Sequence, residues 1–286
     1  METTQNHFDK NRRHKIWILV VGFAMIFSSS CRNKQVTADI PSFSILDFQS
    51  RDGSFDSKQF HFRVYIPIDR ATNEKPAVML YLHGADDRGD DNQRQLSGLA
   101  GLITANPSNF QFIIVFPQCK AGRFWDKEMI AQAMAALDQT VKEFDGDENK
   151  LYLSGFSLGG YGAWTTAAMY PGKFAAIVPM SGRILPRSGE RKDLAPEIIK
   201  LVDAADPYAA FANRIGKTPV WVFHGANDSI VPIDGSRKMV KALKEAGNEN
   251  VRFSELEDIA HYSLDSAFRD SELFKWLAAQ RLNNNS

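Results

Sequence analysis

Apolar residues recur along the chain in two patterns. At 60–66 (FHFRVYI) they alternate with other residues, which predicts a strand with one wet face. At 77–82 (AVMLYL) and 112–116 (FIIVF) the runs are unbroken, as suits strands covered on both faces in a parallel sheet. Shorter strand-like runs lie at 151–153, 175–179, 220–223 and 251–253. Helical spacing falls between them. Ile130, Met134, Leu137, Val141 and Phe144 follow steps of four and three and share one helix face. Met239, Val240, Leu243 and Ala246 form a second such face, closed by Gly247 as a C-cap, and 163–169 reads as a third helix. Strands alternating with helices predict right-handed crossovers and a mainly parallel sheet, an α/β class. Ligands in open α/β sheets bind at the carboxyl ends of the strands, so residues just after strands are the candidates for chemistry.

Two stretches break this rhythm. Residues 183–206 are long and charged, and two readings stand: a small lid over a site, or a solvated surface excursion. At the N-terminus, Arg12, Arg13, His14 and Lys15 precede an apolar stretch at 16–27, and Ser28-Ser29-Ser30-Cys31 follows. That is the layout of a secretory signal peptide, with an apolar stretch shorter than the roughly 20 residues of a membrane span. Small residues running directly into a cysteine resemble a bacterial lipoprotein signal, although Ser28 stands where leucine is usual. The expectation is an exported protein held on a bacterial envelope membrane by lipid on Cys31. Plain secretion and an uncleaved anchor are the alternatives. Residues 1–31 are then the signal, 32–42 a polar tether, and 43–286 one catalytic domain.

Composition narrows the partners. The 286 residues are 44% hydrophobic, enough for one sizeable core, and Lys+Arg and Asp+Glu are equal at 34 each. No basic excess points to nucleic acid. There are two cysteines; if Cys31 carries lipid, Cys119 has no disulfide partner and reads as a buried small hydrophobe or, less simply, a nucleophile. No His-Glu-x-x-His motif or cysteine cluster occurs, so no metal and no cofactor are expected.

The chemistry gathers around 151–164, LYLSGFSLGGYGAW. Gly155-Phe156-Ser157-Leu158-Gly159 is a Gly-x-Ser-x-Gly turn between a strand and a helix, the nucleophile elbow, whose glycines let the chain pass close to itself. A serine hydroxyl needs a base to take its proton and an acid to orient that base, in the order Ser, Asp or Glu, His. Of six histidines only His224 and His261 follow Ser157. His224 lies directly after a strand and before Asp228, which leaves His261 as base and Asp228 as acid. Asp203, Asp206, Asp234 and Asp258 are rivals, Asp234 reading as a helix cap. The oxyanion of a tetrahedral intermediate needs two donors, expected from the N–H of Leu158 and from Ala85 in the loop after 77–82. His83 reads as a histidine that fixes this loop. Trp125 reads as a wall of the substrate pocket or as a core aromatic.

YLHGADDRGDD, FPQC…FWD, LYLSGFSLGGYGAW, PVWVFHGANDSIVP and AHYSLD together resemble the α/β-hydrolase superfamily over about 60–280. They are more closely similar to exported feruloyl and acetylxylan esterases and to dienelactone-hydrolase-like or predicted peptidase and phospholipase relatives. The resemblance implies an α/β-hydrolase fold with Ser157, Asp228 and His261 as triad and the Gly84-Ala85 region as oxyanion loop. It implies hydrolysis of carboxylic esters through an acyl-enzyme, with acyl decorations on polysaccharide as one substrate class. Asp86 stands where relatives often carry glycine. A prolyl-oligopeptidase-type peptidase or a phospholipase is the second reading, the former weighed down because the chain shows no propeller-sized domain. A non-catalytic binding module is the third.

Overall fold

A computed structural model describes residues 48–67 and 74–282. The expected signal at 1–31, Cys31 and the expected tether at 32–42 lie outside the described residues. The chain runs β1 (Phe48–Phe55), β2 (Lys58–Tyr65), β3 (Val78–Leu82), α1 (Leu99–Ala105), β4 (Ile113–Pro117), α2 (Lys127–Glu143), β5 (Leu151–Phe156) and α3 (Leu158–Met169). It continues with β6 (Ala176–Met180), α4 (Pro196–Val202), α5 (Pro207–Ile215), β7 (Val220–Gly225), α6 (Asp234–Glu245), β8 (Val251–Leu256), α7 (Leu264–Arg269) and α8 (Ser271–Ala278). The eight strands form one sheet in the order β1-β2-β4-β3-β5-β6-β7-β8. β1 and β2 pair antiparallel, as do β2 and β4; from β4 to β8 every pair is parallel.

The unbroken apolar runs are fully buried strands, as their composition predicts. Alternate residues of β3 feed two cores. Val78, Leu80 and Leu82 face the core closed by α2 to α6, while Met79 and Tyr81 face the one closed by α1, α7 and α8. α2 buries Ile130, Met134, Leu137 and Val141, the face its spacing predicts, and Asp126 caps it by accepting from the N–H groups of Glu128 and Met129. Gly247 ends α6 with φ 76°, as a left-handed C-cap.

β1 has no counterpart in the apolar pattern. FQSRDGSF is an edge strand with exposed alternate positions, and it joins β2 through Asp56 and Ser57, both at positive φ. That is a two-residue turn of the primed type made without the usual Asn-Gly or Asp-Gly. Asp234 also departs from its expected role. Ile233 is the N-cap of α6 and makes no side-chain cap bond, while Asp234 sits in the first turn and pairs with Arg237 at 3.0 Å.

The 183–206 stretch is anchored at a few buried positions and is otherwise half-buried or exposed. It carries α4 and buries Ile184, Leu194, Ala195 and Ile198 in the core beside α3. Arg183 lies over the Tyr161 ring at 4.0 Å and pairs with Glu190 at 2.6 Å.

Candidate active site

The site assembles where β5, β7 and β8 end. Ser157 follows β5 at φ 55° and ψ −111°, a region costly for any residue with a Cβ and held only where surrounding structure enforces it. The enforcement is visible. Its N–H donates to the Met180 carbonyl of the adjoining strand at 2.9 Å. A Cβ on Gly159 would stand 1.7 Å from the Leu82 carbonyl oxygen, and one on Gly155 would stand 2.2 Å from that of Gly159. Only glycine lets α3 start this close to β3.

The loops after β7 and β8 are laced together. Ala226 N–H donates to Leu256 at 2.9 Å and Asn227 N–H to Ile259 at 3.2 Å. Gly225 lies against Ala260 so closely that a Cβ would come within 1.8 Å of its carbonyl oxygen. This lacing brings Asp228 and His261 together, both 7% exposed. His261 Nδ1–H donates to Asp228 Oδ2 at 2.7 Å, and the Ser157 hydroxyl donates to His261 Nε2 at 2.7 Å. Beyond His261, Ser263 N–H bonds back to its carbonyl at 2.9 Å, and the Ser263 and Ser181 hydroxyls meet at 2.7 Å. Phe156 packs on the His261 ring with centroids 5.2 Å apart.

Asp228 is held as an anion. Burial pushes its carboxyl up, but the bond from His261 and the N–H groups of Val231 (2.8 Å) and Ile230 (2.9 Å) outweigh this and leave it below the usual carboxylate range. A further contact of Asp228, not foreseen from sequence, is His224. Burial lowers its pKa, so it stands neutral. Its Nε2 faces two acceptors, the Val231 carbonyl at 2.8 Å and Asp228 Oδ2 at 3.2 Å, and therefore carries the proton. The spacing of four residues between His224 and Asp228 is the one sign of this contact in the sequence.

The loop after β3 is equally constrained. His83 is fully buried, which lowers its pKa to about 4. Cys119 N–H donates to His83 Nε2 at 2.9 Å, so the ring proton sits on Nδ1 and is donated to the Gly84 carbonyl at 2.7 Å. Because the peptide is planar and trans, fixing the Gly84 carbonyl also fixes the opposite N–H of that unit, which belongs to Ala85. Arg88 Nε–H holds the Ala85 carbonyl at 2.7 Å. Leu158, at the first position of α3, has no intrahelical acceptor for its N–H. Trp125 is 1% exposed, donates its indole N–H to the His83 carbonyl at 3.1 Å and meets the His83 ring edge-on. That is the core alternative of its two readings: it props the loop rather than lining a pocket. Cys119 is buried, and burial pushes its thiol up to about 12, so it is no nucleophile near neutral pH. Among the described residues no group of three or more His, Cys, Asp or Glu is gathered as a metal site would need.

A model of the prolyl oligopeptidase family matches residues 120–280. The bifunctional acetylxylan esterase/xylanase XynS20E of Neocallimastix patriciarum is 26% identical over 192 residues, 66% of this chain and 24% of its own. A thermostable esterase of known structure superposes with a TM-score of 0.66 at 27% identity, covering 83% of this chain and 64% of that one. The acylaminoacyl peptidase of Pyrococcus horikoshii has the same fold, with a TM-score of 0.61 at 15% identity over 84% of this chain and 43% of its own. The chain thus spans about a quarter of the length of the curated relative.

Proposed function

The chain belongs to the prolyl oligopeptidase family, and on that premise we propose that it is an exported serine hydrolase that cleaves carboxylic esters through an acyl-enzyme. The observation that carries this reading is the unbroken Asp228–His261–Ser157 chain, with both contacts at 2.7 Å, ending on a serine at positive φ. Ser157 Oγ attacks the acyl carbon while His261 Nε2 takes its proton. Asp228 holds the imidazole in the tautomer this requires and stabilises the imidazolium that forms. The N–H groups of Ala85 and Leu158 receive the oxyanion. His261 then gives the proton to the leaving alcohol, and a water repeats the sequence to release the acid.

The acetylxylan esterase likeness supports acyl groups on polysaccharide as the substrate class. The family's name and the acylaminoacyl peptidase likeness favour the second reading, amide hydrolysis, by the same residues. The basic run, apolar stretch and Ser-Ser-Ser-Cys sequence support export with lipid on Cys31. No helix among the described residues is long and apolar enough to cross a membrane. The test is a panel of acetyl, feruloyl, lipid and peptide substrates given to wild type and Ser157→Ala. Ester turnover that survives in Ser157→Ala rejects the mechanism, and peptides cleaved faster than every ester reject the ester reading.

A further inference from the structure

Behind the proposed triad the hydrogen bonds continue. The His224 ring is buried between β7, which carries it, and α6. Its Nδ1 accepts from the Ser236 hydroxyl of α6 at 2.8 Å, and Ser236 is itself 1% exposed. Its Nε2–H is donated to the Val231 carbonyl at 2.8 Å, and the same nitrogen lies 3.2 Å from Asp228 Oδ2. Asp228 Oδ1 accepts from the Ile230 and Val231 N–H groups and Oδ2 from His261 Nδ1–H, while His224 Nε2 lies 3.2 Å from the same Oδ2.

We propose that Ser236 and His224 are positioning residues that extend the catalytic chain inward, fixing the orientation of Asp228 and sharing the charge that Oδ2 offers to His261. The proposal rests on the triad reading above. The reasoning concerns one oxygen. His261 donates to Oδ2, and the positive end of the His224 N–H dipole lies beside the same oxygen and draws on the charge that His261 meets. Removing the His224 N–H concentrates the carboxylate charge on His261 and favours the imidazolium. A base that protonates more readily is withdrawn from use at higher pH. It also loses a fixed orientation, because the remaining donors hold Oδ1 and leave Oδ2 with His261 alone. Ser236 fixes which nitrogen of His224 carries the proton. The other charged groups near the ring are His261 beyond Asp228, Glu255 opposite it on β8, and Arg237 on α6, which is paired with Glu255. Apart from His261, which already bonds Oδ2, none of these brings an N–H to that oxygen in place of His224.

The experiment uses the full-length protein and a fluorophosphonate probe, with the labelling rate of Ser157 followed from about pH 5 to 9, the range in which a histidine base titrates. His224→Leu removes the N–H beside Oδ2; its acid limb should move up by about one pH unit and its plateau fall roughly tenfold, about 1.4 kcal/mol. His224→Gln keeps an amide that can donate from the same place, and should hold the limb at its wild-type position. Ser236→Ala should move the limb in the same direction as His224→Leu, by less. A purely structural role lowers the plateau or the stability and leaves the limb where it is. Wild-type limbs in both His224→Leu and Ser236→Ala overturn the proposal, as does a limb in His224→Gln displaced as far as in His224→Leu. Should His224→Leu fail to fold, Ser236→Ala against wild type decides alone. Labelling that survives Ser157→Ala is a different failure, and takes down the triad reading itself.

Discussion

Ser157 shows how much one residue depends on its neighbours. Its positive φ costs on the order of 1–3 kcal/mol, and the bond to Met180 and the contact of Gly159 with Leu82 hold it there. Ser157→Ala should therefore fold, and should lose several orders of magnitude in kcat on an activated acetyl ester. A circular-dichroism melt beside the rate assay checks both halves. His83 has a different signature. In the folded chain burial keeps it neutral down to about pH 4, whereas in the unfolded chain it takes up a proton near 6.5. The unfolded state thus binds the extra proton across that interval, so stability rises with pH from about 4 to 6.5 and is lost on acidification. The shift is worth about 3 kcal/mol. His83→Gln should flatten urea-unfolding free energies over that interval; an unchanged slope would mean that His83 is protonated in the fold. Asp228, held below 3.8, adds acid lability at still lower pH, by the same sign of linkage.

Whole elements meet here at distances that only small residues allow. Gly159→Ala would drive a methyl into the Leu82 carbonyl, and Gly225→Ala one into that of Ala260. The first should push α3 off β3 and the second should part the loops that bring Asp228 to His261. Both variants are expected to lose labelling by a fluorophosphonate at least tenfold, with Gly225→Ala the better folded, since its loops can give way without disturbing the sheet; equal labelling to wild type would show that the close approaches are relaxed in solution. The 183–206 segment is anchored by a few buried side chains. Ile198 is 1% exposed in the core beside α3, so Ile198→Ala should cost about 2–5 kcal/mol in chemical denaturation. A loss below about 0.5 kcal/mol, the scale of surface substitutions, would return the segment to the reading of a loosely attached lid.

At the scale of the molecule, all groups of the proposed reaction lie between β3 and α7, and the sheet that holds them begins at Phe48. A chain starting at residue 43 should then label and turn over ester at the wild-type rate, while the full chain partitions with membranes and Cys31→Ser does not. Mass spectrometry of the mature N-terminus checks the lipid directly. A start elsewhere than Cys31 would reject the lipoprotein reading without touching the catalytic one.

The sequence by itself determined the parts that local pattern encodes. Unbroken apolar runs need cover on both faces, so they specified central parallel strands. A Gly-x-Ser-x-Gly between strand and helix specified the turn, and chain order picked out Asp228 and His261, which the fold brings within hydrogen-bond reach of one another and of Ser157. β1 escaped because an edge strand with a wet face and a Phe-Asp-Ser-Lys turn has no apolar alternation to read. The surroundings of Trp125 and the packing of 183–206 escaped because burial is decided by what lies opposite, and an indole or an isoleucine looks the same in sequence on either side of that choice. His224 is the clearest case. Setting it aside as base followed from order along the chain, but its contact with Asp228 depends on α6 closing behind β7 and on Val231 turning its carbonyl inward. Which nitrogen carries a proton, and whose charge it faces, is a property of distances between elements, and these exist only once the chain has folded.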